Sequence, residues 1–131
     1  MARPEGSVAV DEFLILRLGP SLWALPAHQV RQVLSPRPMT RLPEAPPLVQ
    51  GLIAWRARVL PVFGLGPRLG IEDPPTDRGA LLVVESAGDL IVLTVDEVLR
   101  FAHASPAQGS QIEVEGQDVA LIALEQILDD A

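Results

Sequence analysis

Thirteen prolines and ten glycines are scattered through 131 residues, and they break this chain so often that no long helix fits between them. Proline lacks an N–H and biases the residue before it away from helix. Pro36, Pro38, Pro43, Pro46 and Pro47 therefore restrict one stretch to short extended pieces. Elsewhere the breakers separate brief apolar runs, which is the signature of many short strands joined by turns.

Four strand pairs can be read in order. Phe13–Leu18 (FLILRL) and Leu22–Leu25 flank Gly19-Pro20-Ser21, and 52–55 and 59–63 flank Arg56-Ala57-Arg58. Leu81–Val84 and Leu90–Val95 surround Glu85-Ser86-Ala87-Gly88-Asp89, the strongest hairpin signal in the chain. Ile112–Glu115 and Val119–Leu124 surround Gly116-Gln117-Asp118, and LEQILDDA closes the chain as a short helix. Pro26 can open a helical stretch in which Val30, Val33 and Leu34 share one face. Gly64–Gly70 and the Pro-rich Glu72–Arg78 read as a connection exposed to water, the expected joint between two lobes. These elements predict an all-β chain with short helices, built as small barrels or a sandwich and not as a βαβ sheet.

Composition removes most chemistry. There is no Cys, Lys, Asn or Tyr, so disulfides, thiolate nucleophiles, Schiff-base lysines and P-loop lysines are excluded. The first 78 residues hold nine Arg against seven acids, and the rest hold Arg100 against ten, giving +2 and −9 and the net −7. Such a balance repels phosphate backbones and argues against nucleic acid. No apolar run reaches the roughly 20 residues that span a bilayer, and the N-terminus lacks a signal-peptide core, so a soluble, cytoplasmic protein is expected.

The remaining candidates for catalysis are isolated. His28 and His103 fall in no metal-ligand spacing, none of the six serines lies in GxSxG, and Pro67 removes a donor from the loop-like Gly64–Gly70. Adjacent carboxylates such as Asp96-Glu97 point to opposite faces of a strand. Trp23 and Trp55 sit in strand segments and read as core. Arg56, at the tip of an apolar hairpin beside Trp55 and followed by Arg58, is placed to fork onto a partner's carboxylates or carbonyls.

The sequence FLILRLGPSLWALPAHQVRQV, then TRLPEAPPLVQGLIAWRARVLPVFGL, then LLVVESAGDLIVLTVDEVL, and last VALIALEQIL resembles the CheW-like domain along nearly the whole chain. Gly51, Trp55, Arg56, Pro61, Val62 and Leu65 match that family's central pattern. Ala57 stands where it usually has Gly, Gly64 where it usually has an acid or Asn, and Ala123 where it often has Asp. A turn needing positive φ at Ala57 would cost on the order of 1 kcal/mol relative to Gly.

The resemblance implies two SH3-like five-stranded barrel lobes sharing an apolar seam, within a single domain over 12–131 after a flexible 1–11, the lobes joined near 66–78. The short 101–112 segment leaves room for a second lobe one strand short, and with it an adaptor whose kinase binding is weakened. The implied function is a non-catalytic adaptor, without cofactor or metal, coupling a chemoreceptor signalling tip to the regulatory domain of a CheA-type histidine kinase in receptor arrays. Other CheW-like domains are further partners it admits. Val30, Val33, Leu52, Arg56 and Arg58 are the expected protein-binding residues, the first four read as one surface. The competing reading, a small ligand-binding barrel or enzyme using His28, His103 or the acidic half, lacks any converging set of residues.

Overall fold

In the computed structural model, described here for residues 11–74, 78–104 and 111–129, the apolar runs become strands buried on both faces. Along β1 (Asp11–Leu18), Phe13 and Ile15 enter one core while Leu14, Leu16 and Leu18 enter another. Successive side chains leave a strand on opposite sides, so a run without alternation needs an apolar environment on each. The same division recurs in β6 (Ala80–Ser86) and β7 (Asp89–Val95). Leu81, Val83 and Val92 fill a third core, while Leu82, Val84, Ile91, Leu93 and Val95 join Leu14, Leu16 and Leu18.

The remaining strands are β2 (Ser21–Pro26), β3 (Val30–Leu34), β4 (Val49–Trp55), β5 (Arg58–Phe63), β8 (Glu97–Ala104), β9 (Gln111–Val114) and β10 (Gln117–Leu121). They form two sheets of five strands each among the described residues, ordered β8-β1-β2-β10-β9 and β3-β6-β7-β5-β4. Each sheet wraps its own core, and the shared cluster forms a seam between the lobes. α1 (Gly66–Leu69) is a single turn, and α2 (Leu124–Asp129) begins with Leu124 buried in the seam.

Four expectations change. Residues 26–34 are not helical: Pro26 ends β2, Ala27–Gln29 make a 3-10 turn, and Val30–Leu34 is a strand. A register shift between Val30 and Gln32 sets Val30 opposite Val84 and Val33 opposite Leu82, both seam residues. This bulge puts residues three apart on one side and imitates helical spacing.

The chain does not divide near 66–78, because β5 and β6 on either side of that segment belong to one sheet. It passes between the sheets at 26–30 and again at 95–97, so one lobe contains both ends of the domain. The start of the expected water-exposed connection is also buried: Gly64, Leu65 and Gly66 are all inside.

Neither lobe lacks a strand. β8 pairs with β1 from Asp11↔Ala104 to Arg17↔Glu97, supplying the fifth strand, so the ground for weakened kinase binding is removed. Its sequence EVLRFAHA buries Ala102 and Ala104, residues too small to mark a core face by pattern alone. Residues 1–10, expected to be flexible, and 105–110 of the short segment lie outside the described residues, while Asp11 already belongs to β1.

Three hairpins turn through two residues of positive φ: Arg56-Ala57, Ala87-Gly88 and Glu115-Gly116. This is the primed turn geometry that matches strand twist. Only the first lacks Gly at its second position, with Ala57 at φ 62. An L-residue there is strained by about 1–2 kcal/mol, and Gly adds about 0.4–1 kcal/mol of unfolded-chain entropy. Ala57→Gly is therefore expected to stabilise the chain by about 1 kcal/mol, read from urea titration. A neutral or destabilising result would show that the turn relaxes around Ala57.

Candidate partner-binding surfaces

The expected protein-binding residues fall on two surfaces. The first is the open edge of the seam. Val30 is partly buried against the seam core, whereas Val33 is 46% exposed. Facing residues of paired strands share a side. Phe101 on β8 pairs with the buried seam residue Leu14, yet it is 51% exposed. β3 and β8 are edge strands of their sheets, so neither Val33 nor Phe101 is covered by a further strand. Leu99, at the register shift of β8, is 41% exposed. Each lobe thus exposes apolar side chains on an edge strand, Val33 and Phe101 on the strand sides that face the seam core, and exposed apolar side chains of this kind are candidates for an interaction site.

The second surface is the tip of the β4–β5 hairpin. Pairing of Trp55 with Arg58 closes the two-residue turn. The Arg56 guanidinium lies 4.7 Å from the Trp55 ring centroid, and Trp55 Nε1 donates to Gln32 Oε1 at 2.8 Å. Arg56 Nη2 approaches the same oxygen at 3.4 Å. Arg56 and Arg58 are exposed, and Val59 beside them is 66% exposed. A stacked guanidinium beside an apolar side chain suits a partner presenting carboxylates around an apolar centre.

Leu52 belongs to neither surface in full. It lies mid-strand in β4, opposite Pro61, with its backbone paired to Thr40 of the Pro-rich strap. Val30 packs against the seam core and Val33 stands on the same side of β3, while Gln32 between them meets the hairpin tip. β3 therefore borders both surfaces and separates them. Phe101, Leu99 and Val59 are not among the binding residues that the sequence leads one to expect. The alternation of β8 carries a signal for the first, since Phe101 and His103 alternate with buried Ala102 and Ala104.

No group of three or more His, Cys, Asp or Glu among the described residues is placed to hold a metal ion. His28 is exposed on the 3-10 turn and borders an open depression of about 570 Å³ with Glu12, Phe13 and Leu121. His103 Nε2 lies 3.8 Å from a Glu12 carboxylate oxygen, both side chains open to water. Trp23 packs against the seam and Trp55 against the core of its own lobe, both half-buried.

The sequence pattern of the CheW-like domain matches residues 12–130. The chain belongs to the CheW-like domain family. It is 27% identical to the chemotaxis protein CheW of Rhizobium meliloti across 88% of this chain and 86% of that protein. It is 31% identical to a probable chemotaxis protein CheW of Rhizobium etli, and 34% identical to the protein PilI of Pseudomonas aeruginosa. Each of those matches covers 66% of this chain and about half of the relative, 57% and 49% respectively. The fold superposes on the scaffolding protein CheW from Thermoanaerobacter tengcongensis with a TM-score of 0.74 at 20% identity, over 88% of this chain and 90% of that one.

Of the three departures from the CheW-like pattern, Ala57 has the positive φ that favours Gly, and Ala123 lies exposed beyond β10, where no strand depends on it. The third, Gly64, faces the carboxylate of Asp73. No helix among the described residues is long and apolar enough to cross a membrane.

Proposed function

We propose that this chain is a non-catalytic adaptor of a chemosensory array. The open edge of its seam binds the signalling tip of a chemoreceptor, and the β4–β5 tip binds the regulatory domain of a CheA-type histidine kinase. The reading is carried by Val33 and Phe101, half exposed on the seam-facing sides of two edge strands, one from each lobe. Apolar side chains exposed on two edge strands suit the apolar face of an amphipathic helix laid against them. Kinase contact at the tip rests on membership of the family and on the exposed Arg56, Arg58 and Val59. Recruitment to receptor arrays on the cytoplasmic side, and contact with other CheW-like domains, belong to the same reading.

Both lobes carry five strands, so comparable micromolar affinity for a receptor signalling fragment and for the kinase regulatory domain is expected. Titration of the purified protein against each separately measures this, and binding to neither would sink the adaptor reading. Arg56→Glu is expected to weaken kinase-domain binding about tenfold or more, since reversing a charge sets like charges against each other. Its thermal midpoint should fall only slightly, because an exposed cation–π contact is worth about 0.5–1 kcal/mol. Unchanged kinase affinity would remove the tip from the binding surface while leaving the seam untouched.

A further inference from the structure

Gly64 and Gly66 have no positive φ, so backbone conformation does not explain why both positions lack a side chain. Space does. A Cβ on Gly64 would lie 2.5 Å from Asp73 Oδ2 and 2.6 Å from Gln50 Nε2. One on Gly66 would lie 2.7 Å from Asp73 Oδ1 and 2.5 Å from the Ile71 carbonyl oxygen. The Gly66 N–H donates to Asp73 Oδ1 at 2.6 Å, within a stretch where Gly64, Leu65 and Gly66 are buried.

We propose that Asp73 is a positioning residue whose carboxylate fills the socket left by Gly64 and Gly66 and so seats Ile71 against the other lobe. The loop between socket and carboxylate is closed a second time by the Ile71 N–H, which donates to the Gly66 carbonyl at 2.9 Å. Ile71 packs against the seam core, and its side chain lies over Gly19, with Ile71 Cβ 3.7 Å from where a Cβ on Gly19 would stand. Gly19 belongs to the β1–β2 turn of the opposite sheet, and its N–H donates to an Asp96 carboxylate oxygen at 2.7 Å. Asp73 thus acts across the seam through Gly66 and Ile71. The proposal stands whether or not the adaptor reading holds.

A double-mutant cycle followed by urea unfolding and amide hydrogen exchange tests it. Gly64→Ala should displace the carboxylate, and Asp73→Ala should remove it, each raising the unfolding constant about fivefold, as loss of a capping carboxylate does. With Asp73→Ala already present, Gly64→Ala should cost clearly less, because the carboxylate is gone and only Gln50 Nε2, the far end of a flexible side chain, still has to shift. In Asp73→Ala the amides of Gly66, Ile71 and Gly19 should exchange about tenfold faster, consistent with local opening of a held segment. Asp73→Asn keeps an acceptor oxygen and should return most of that protection. Equal costs for Gly64→Ala in both backgrounds would overturn the proposal, as would Gly19 and Ile71 exchange that ignores the loss of Asp73.

Discussion

Phe101→Asp is expected to lower affinity for a receptor signalling-tip fragment about thirtyfold or more, the loss typical of a central apolar anchor. Phe101 is half exposed on the seam side of an edge strand. Its ring is therefore available to a partner without being essential to the core. A carboxylate in its place puts a charge where an apolar helix face must dehydrate, and such a charge has no partner to offset its burial. Val33→Asp should behave alike from the other lobe, since Val33 is also half exposed on the seam side of β3. Leu42, 41% exposed on the Pro-rich strap, is the control: Leu42→Asp should leave receptor affinity within twofold. Thermal midpoints of all three should stay close to the parent. If Phe101→Asp binds receptor normally while remaining folded, the seam edge is not the receptor surface, and the fold description is unaffected.

The largest effect on stability is expected in the middle of the seam. Leu93 is fully buried there, on a strand whose other face supplies Val92 to a separate core. Leu93→Ala should cost about 2–5 kcal/mol, the lost transfer energy plus the cavity left behind. Neighbouring strands from two sheets bound that cavity, which limits collapse and favours the upper half of the range. Leu99→Ala, at a position 41% exposed, should cost well under 1 kcal/mol. Because Leu14, Leu16 and Leu18 of one sheet and Leu82, Leu93 and Val95 of the other share one cluster, the lobes should unfold together. A single cooperative transition is expected for both parent and variant, recorded by fluorescence and circular dichroism on one sample. Two separated transitions, or a cost below 1 kcal/mol for Leu93→Ala, would mean that the seam is a contact between independently stable barrels.

Strand identity was largely legible because it is a local property. FLIL and LLVV are apolar at every position, and Ala87-Gly88 and Gly116 mark tight turns whatever surrounds them. The resemblance over nearly the whole chain added the lobes and the seam. Where sequence reading failed, the deciding quantity was a relation between distant residues. Val30 and Val33 have helical spacing, and only pairing with Val84 and Leu82 shows that a bulge puts them on one side of a strand. β8 escaped notice because its fully buried side chains are Ala102 and Ala104, while Leu99 and Phe101 are left about half exposed.

The candidate site followed the same division. Arg56 stood out as a guanidinium beside an indole at a hairpin tip, and the structure sets it 4.7 Å from that ring. That Val33 and Arg56 belong to different surfaces was not readable, because it depends on which way β3 faces between the seam and the tip. By itself the sequence determined the class of this protein: all-β, free of Cys and Lys, broken by proline into strands too short for anything but small sheets. Only the tertiary structure decided how those strands are shared between lobes, since β1 and β2 join β8, β9 and β10 across the whole length of the other sheet. The physical reason is that turn geometry and propensity act over a few residues, whereas burial is set by whichever apolar faces meet in space. Here the faces that meet come from opposite ends of the chain.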